Sequence, residues 1–224
     1  NLETMQEAST LNEVRGFEGY GSRLYFSVFR HNIIPEWAVF NGRTMNPPKD
    51  NVNAVMSFLY TLLMYRVDAA IEAQGLDPYA GILHELGYGK HALTYDLMEE
   101  FRASVVDPLV GALLNLNILK KDDFTEKDFG PDDDAPLIDD NVPDTDEAVS
   151  EVAAVRVTPV RGVLLTKDAL RKVVEKFEEK MDTLIMYPPR QERMAYQQII
   201  YAQVEHYKRV ILNEEPEYCG FLVK

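Results

Sequence analysis

From Asn53 to Gln74 the chain reads "NAVMSFLYTLLMYRVDAAIEAQ", apolar around most of a helix's circumference. A helix with one apolar stripe can lie on a surface, but one that is apolar nearly all round has to be enclosed by other elements. This run predicts a buried central helix with the rest of the fold arranged around it. Two prolines in "NGRTMNPPKDN" (41–51) break the chain before it, Asp50 or Asn51 supplies the N-cap, and Gly75 ends it. Its most apolar stretch, "FLYTLLMY", is far too short for a membrane span, and no membrane partner is expected.

Other elements follow from period and punctuation. A first helix is expected from about Leu11 to Phe29, packing through Val14, Phe17, Gly21, Leu24 and Val28. After the turn "GLDPYAG", a further helix is expected over roughly Lys90 to Leu114, bent at Pro108. Residues 128–159 read as an acidic, proline-containing loop, followed by two β-like runs, "AAVRVTPV" and "GVLLT". Thr166 is the expected N-cap of an amphipathic helix, "KDALRKVVEKFEEKM". Pro188 and Pro189 interrupt before a last helix, "ERMAYQQIIYAQVEHYKRVIL". The fold class is mostly α, with a short hairpin-like β element near 153–166. The expectation is one helical domain over 1–224 with an acidic insertion at about 122–151.

Taken as a whole, the net charge of −14 argues against nucleic acid as a partner, but its distribution does not. Residues 122–151 hold 13 of the 37 acids and one of the 23 bases, which leaves 24 acids against 22 bases elsewhere. Local pattern must decide, because global charge describes one segment. The single cysteine, Cys219, excludes an internal disulfide and a thiolate metal cluster, and is expected to be a packed small residue. The first residues have neither a basic nor an apolar signal region, so a cytoplasmic location is expected.

Candidate chemistry lies in "GILHELGYGKHALTYDLMEEFR" (81–102). Asp96 and Glu99 are three apart on a helix, so their Cβ atoms lie about 5–6 Å from each other. Leu93, Leu97, Phe101 and Val105 form the apolar side, and the small Ala92 and Ala103 flank the acids. This pattern suits a ligand-binding pair, and it also suits an exposed acidic stripe. Glu100 competes with Glu99 but is nearer the apolar side. His84 follows the apolar "GIL" in a turn, where a histidine is either a ligand or a structural group. Glu18, within "GFEGYGS", is near the expected packing side of the first helix, and a carboxylate there needs a metal or an arginine as partner. Together, Glu18, His84 and Glu99, with Asp96 beside them, would make an oxygen-rich site with one imidazole, suited to Mn2+ or Mg2+ and to phosphodiester chemistry. No general base is identifiable, since His84 as a ligand is unavailable for that role.

The stretches "RGFEGYGSRLYF", "NPPKDNVNAVMSFLY", "GLDPYAGILHE" and "YDLMEEFR", in this order, resemble the catalytic domain of the CRISPR-associated integrase, the first of the numbered Cas proteins. The tail "YAQVEHYKRVILNEEPEYCGFLVK" is also similar. The resemblance implies a metal triad on Glu18 in "FEG", His84 in "ILHE" and Glu99 in "DLMEEF", with Asp96 in "YDLM" beside it. It implies a metal-dependent transesterification that joins a prespacer 3′-hydroxyl to repeat DNA in spacer acquisition, with hydrolysis when water replaces the hydroxyl. Implied partners are double-stranded DNA, a small ferredoxin-like CRISPR-associated protein and a second copy of the chain. A fused or separate nuclease that processes prespacer ends is a further one. The β-rich N-terminal dimerisation domain of the family is absent from these residues, so a fragment, a fusion half or a reduced variant is expected. The acidic segment is longer than the family pattern.

DNA binding needs cations along a phosphate path. Arg23 and Arg30 lie on one stripe of the first helix, read here as a face adjacent to Glu18. Arg15, Arg43, Lys49, Lys90 and Arg102 extend the path. Asp50 and Asn53 resemble family residues that fix a loop, or serve simply as caps. Two other readings stand beside the integrase: a stand-alone metal-dependent nuclease of branched DNA, and a non-catalytic DNA-binding scaffold that takes up no divalent ion at Glu18.

Overall fold

The computed structural model of the chain describes residues 10–84, 89–130 and 160–222. Most of the expected acidic loop and the run "AAVRVTPV" up to residue 159 lie outside the described residues. The helices are α1 (Leu11–Phe29), α2 (Asn51–Ala73), α3 (Ala92–Phe101), α4 (Asp107–Asn115), α5 (Lys167–Met181) and α6 (Tyr196–Ile211). Two antiparallel strand pairs accompany them: β1 (Phe124–Phe129) with β2 (Val160–Leu165), and β3 (Leu184–Tyr187) with β4 (Glu192–Ala195). The chain is thus mostly helical, as its periodicity predicts. Its contacts divide into two units, Asn1–Ser57 with Leu114–Ala169, and Phe58–Leu113 with Leu170–Lys224.

In the first unit, Thr10 starts α1. Its hydroxyl accepts the Glu13 N–H while the Glu13 carboxylate accepts the Thr10 N–H, both at 3.3 Å, a reciprocal cap. The helix has the expected span but buries a different side. Gly19, Phe26 and Phe29 are buried, whereas Gly21, Leu24 and Val28 are exposed. The reason is aromatic: Phe26 and Phe29 meet Phe40 with ring centroids 6.0 and 5.6 Å apart. Three large rings bury more area than the thinner aliphatic stripe, and they fix which side turns inward.

The start of the expected acidic loop is instead β1. It pairs with β2 from Phe124↔Leu165 to Phe129↔Val160. Gly162 of β2 allows close packing, because a Cβ there would come within 2.7 Å of both the Phe129 ring and Pro47. The Val163 N–H donates to the Pro48 carbonyl at 2.8 Å, tying the strand to the loop before α2. Thr166 caps α5 as expected, its hydroxyl accepting the Ala169 N–H at 3.3 Å.

In the second unit, Leu59, Leu63, Val67, Ala70 and Ile71 of α2 are fully buried. By length and composition this helix could cross a membrane, and its enclosure in a protein core accounts for that apolarity. The helical run after residue 90 exists, and it is interrupted in the turn just before Pro108. Between α3 and α4 lies a π-helical segment, Arg102–Val106, where the Asp107 N–H donates to the Arg102 carbonyl five residues back. Pro108 is the second residue of α4, directly after the π segment, and has no N–H to give to the ladder. The Ser104 carbonyl, four residues before Pro108, accepts from the Tyr196 hydroxyl at 3.3 Å. The last helix begins later than expected. "ERMA" is β4, paired with β3 across a turn in which Gln191 takes a left-handed φ of 53°. Cys219 is exposed rather than packed.

Candidate active site

His84 and Asp96 meet in the second unit. The turn that carries His84 sits on the N-terminal end of α3 because Gly81 has no side chain: a Cβ there would be 2.6 Å from both the carbonyl carbon and the Cβ of Ala92. Ala92, expected to leave room above the acids, is instead buried by this contact. The approach lets one carboxylate hold the whole turn. Asp96 Oδ2 accepts the N–H of Ile82 at 2.5 Å and of Leu83 at 3.0 Å, and Oδ1 accepts that of His84 at 2.9 Å. His84 Nδ1 lies 2.6 Å from the same Oδ1.

Burial pushes the Asp96 carboxyl up, but the His84 ring and the three N–H groups outweigh it and hold the group below the usual carboxylate range. Its side chain is only 13% exposed, so it is not part of a wet acidic stripe. The Tyr95 ring lies 5.8 Å from the imidazole. Burial first and the Asp96 charge second raise the Tyr207 hydroxyl, which stays protonated.

Glu99 comes one turn later, 30% exposed, with Arg102 Nη1 donating to its Oε1 at 2.5 Å. The Arg102 guanidinium lies over the Tyr60 ring at 4.5 Å, which keeps it 12% exposed. Arg102 is therefore a partner of Glu99 rather than an open surface cation, a correction to its expected place on the phosphate path. Glu100 is committed elsewhere. It accepts from Gln203 Nε2 at 2.7 Å, from the Phe221 N–H at 2.5 Å and from the Tyr218 hydroxyl. Leu93, Leu97, Phe101 and Val105 are buried as expected.

Glu18 is half-buried at the edge of the inward face of α1, in the first unit. The expected triad thus draws on both units. Among the described residues no three His, Cys, Asp or Glu side chains are gathered about one point. The pair that is gathered, an imidazole clamped at Nδ1 by a carboxylate, is the donor chemistry that metal-binding histidines use, with Nε2 as the ligating atom.

The cations divide. Arg23, Arg30, Lys49 and Lys90 are exposed, and half-buried Arg15 donates to Asn12 Oδ1 at 2.9 Å. At about 100° per residue, Arg23 lies about 140° round α1 from Glu18, so the Arg23–Arg30 stripe is not the adjacent face. Arg15, three residues before Glu18, is on it. Arg43 is no phosphate contact either: its Nε and Nη2 are buried, and Nη1 donates to Thr44 O, Asn53 Oδ1 and Ser57 Oγ. Asn53 organises this loop. Its amide donates to Gly42 O at 2.9 Å and Asp50 Oδ2 at 2.6 Å, while Oδ1 accepts the Thr44 N–H. Asp50 caps α2 through the Asn53 N–H at 2.7 Å, and burial lifts its carboxyl above the ordinary value despite those bonds. Gly81 was not anticipated, and Arg102 was expected on the phosphate path rather than as the partner of Glu99, although its three-residue spacing from Glu99 on a helix is a readable signal for the pair.

The family model described as "CRISPR associated protein Cas1" matches residues 1–131. A curated relative, "CRISPR-associated endonuclease Cas1 3" of Thermus thermophilus, is 32% identical over 219 residues, which are 98% of this chain and 56% of the relative. A casposase bound to its integration product superposes with a TM-score of 0.74 at 21% identity, over 95% of this chain and 51% of that one. A chain of a Cas6-RT-Cas1–Cas2 complex gives 0.75 at 24% identity, over 100% of this chain and 22% of that one. The chain therefore spans about half the length of the Thermus relative.

Proposed function

Because this chain belongs to the Cas1 family, we propose that it carries the catalytic part of a metal-dependent DNA integrase of CRISPR spacer acquisition. In that reaction a prespacer 3′-hydroxyl attacks a phosphodiester of repeat DNA, and hydrolysis follows when water takes its place. The observation that carries this reading is the clamp of Asp96 on the His84 turn, with Glu99 one turn further along α3.

Glu18, His84 and Glu99 would hold a Mn2+ or Mg2+ ion. When bound, such an ion polarises a phosphoryl oxygen and stabilises the charge that builds on it. Asp96 fixes the imidazole tautomer and direction by holding Nδ1, so Nε2 is the atom for a cation. Arg102 neutralises Glu99 in the ion-free chain, which limits repulsion among the acids. Arg23, Arg30 and Lys90, with Arg15 beside Glu18, meet DNA phosphates. The Cas1–Cas2 complex and the casposase product complex among the structural relatives support DNA and a further Cas protein as partners; a small ferredoxin-like protein and a second copy complete the proposed assembly.

Strand transfer on repeat DNA in Mn2+, measured for this chain and for a longer protein that contains it, tests the reading. Glu18→Ala, His84→Ala and Glu99→Ala abolish joining while the fold and DNA binding survive. Asp96→Asn is milder than Glu99→Gln, since Asp96 orients a ligand. Cleavage of branched DNA without joining would indicate the stand-alone nuclease instead. Full activity in Glu99→Gln with loss in Glu100→Gln would move the ligand by one residue. Indifference to all three alanine variants would leave a DNA-binding scaffold.

A further inference from the structure

The tail after α6 is bound to α3 at the residues that follow Glu99. The Phe221 N–H donates to Glu100 Oε2 at 2.5 Å, and the Phe221 ring stacks on Phe101 with centroids 5.4 Å apart and an interplanar angle of 21°. Tyr218 donates to the other Glu100 oxygen. Gln203 is fixed so that it can join them. Its Oε1 accepts the Tyr187 hydroxyl at 2.6 Å, which turns its Nε2 to Glu100 and to the Cys219 carbonyl. Both Gln203 and Phe221 are buried. One tail residue thus grips two successive helix residues, one by its backbone and the other by its ring.

That grip lies where α3 needs one. Immediately after Phe101 the regular ladder gives way to the π segment Arg102–Val106, so the rotation of the last turn of α3 is not fixed by an unbroken α-helix running into α4. Glu99 precedes Glu100 by about 1.5 Å of rise and about 100° of rotation. Holding Glu100 and Phe101 sets the direction in which Glu99 projects.

We propose that residues 218–221 position Glu99 by locking the last turn of α3 through Glu100 and Phe101. The proposal rests on the reading of Glu99 as a cation ligand. Glu100 is a positioning residue in this scheme: it binds the tail, and the tail in turn holds the ligand carboxylate in register.

The test follows amide hydrogen exchange on the full chain and titrates Mn2+ by the paramagnetic resonance signal of the free ion. Phe221→Ala and the gentler Glu100→Gln are compared with wild type, and Phe221→Leu serves as the conservative variant. Exchange at residues 99–106 quickens about tenfold while residues 92–96 and α2 keep their protection. Mn2+ affinity falls about tenfold, and Phe221→Leu recovers part of it. Unchanged exchange at 99–106, or an increase spread evenly over α2, α3 and α6, overturns the proposal, as does unaltered Mn2+ affinity in both variants. Glu99→Gln separates the two ideas. If it binds Mn2+ like wild type, the ligand assignment fails, whereas the exchange pattern still decides whether the tail locks the helix.

Discussion

Asp96 and Glu100 are carboxylates four residues apart on α3, and each holds a different part of the chain. Asp96 clamps a turn only 12 to 14 residues away, through three backbone N–H groups and an imidazole. Glu100 holds partners 103 to 121 residues away, two side chains and one backbone N–H. Between them Glu99 faces an arginine side chain on its own helix. The difference teaches which acid is available for chemistry. A carboxylate that satisfies backbone donors cannot turn away without stranding them, whereas one paired with an arginine side chain can exchange that partner for an ion.

Four substitutions break or sharpen this contrast, read as stability by urea unfolding. Asp96→Ala costs most, about 2–3 kcal/mol, because charge-assisted bonds to three N–H groups vanish together. The His84 ring resonances should shift at the same time, and an unmoved imidazole would mean that Asp96 does not hold the turn. Gly81→Ala comes next at about 1–2 kcal/mol, since the new methyl meets the Ala92 backbone and the turn must lift. It also weakens the Asp96 clamp, so combining it with Asp96→Ala should cost less than the two summed. Glu100→Gln costs about 1 kcal/mol, as an amide keeps one acceptor oxygen but loses the charge that strengthens the Phe221 and Tyr218 bonds. Glu99→Gln costs least, within about 0.5 kcal/mol, because its pair with Arg102 is a helix contact three residues apart. Strand transfer reverses the order, with Glu99→Gln the most damaging. A Glu99→Gln cost as large as that of Asp96→Ala would remove the distinction.

Much of this was legible in the sequence, where period and caps agreed. The span of α1, the enclosure of α2, the Thr166 cap of α5 and the inward side of α3 all follow from apolar spacing and polar starts. The errors have physical causes. The stripe Val14, Phe17, Gly21, Leu24 and Val28 has helical period, but only its first two members are half-buried, because the choice of face was made by aromatic rings meeting Phe40, a contact between separate elements. Strand β1 buries only Phe129, half-buries Phe124 and exposes the four residues between them, so it lacks the alternation that marks a half-buried strand. "ERMA" continues the period of α6 and becomes a strand only because "LIMY" lies opposite. At the site, Asp96 beside His84 was expected, while the burial of Arg43 and the commitment of Glu100 to the tail depend on residues remote in sequence. Spacing within one helix cannot report such partners.

The π segment acts as a phase corrector between two demands on one helical rod. Downstream, Leu109, Val110, Leu113 and Leu114 must point into the core. Upstream, Leu93, Leu97 and Phe101 take the core side, and Asp96 and Glu99 must hold the side that carries the His84 turn and Arg102. A five-residue repeat advances the helix by one residue more than an α-turn, which offsets the two halves by about 100°. A chain one residue shorter there would form a straighter helix and keep either the core or the acid pair in register, but not both. The irregular turn is therefore how a single rod meets a packing requirement and a chemical one that a uniform screw could not satisfy together.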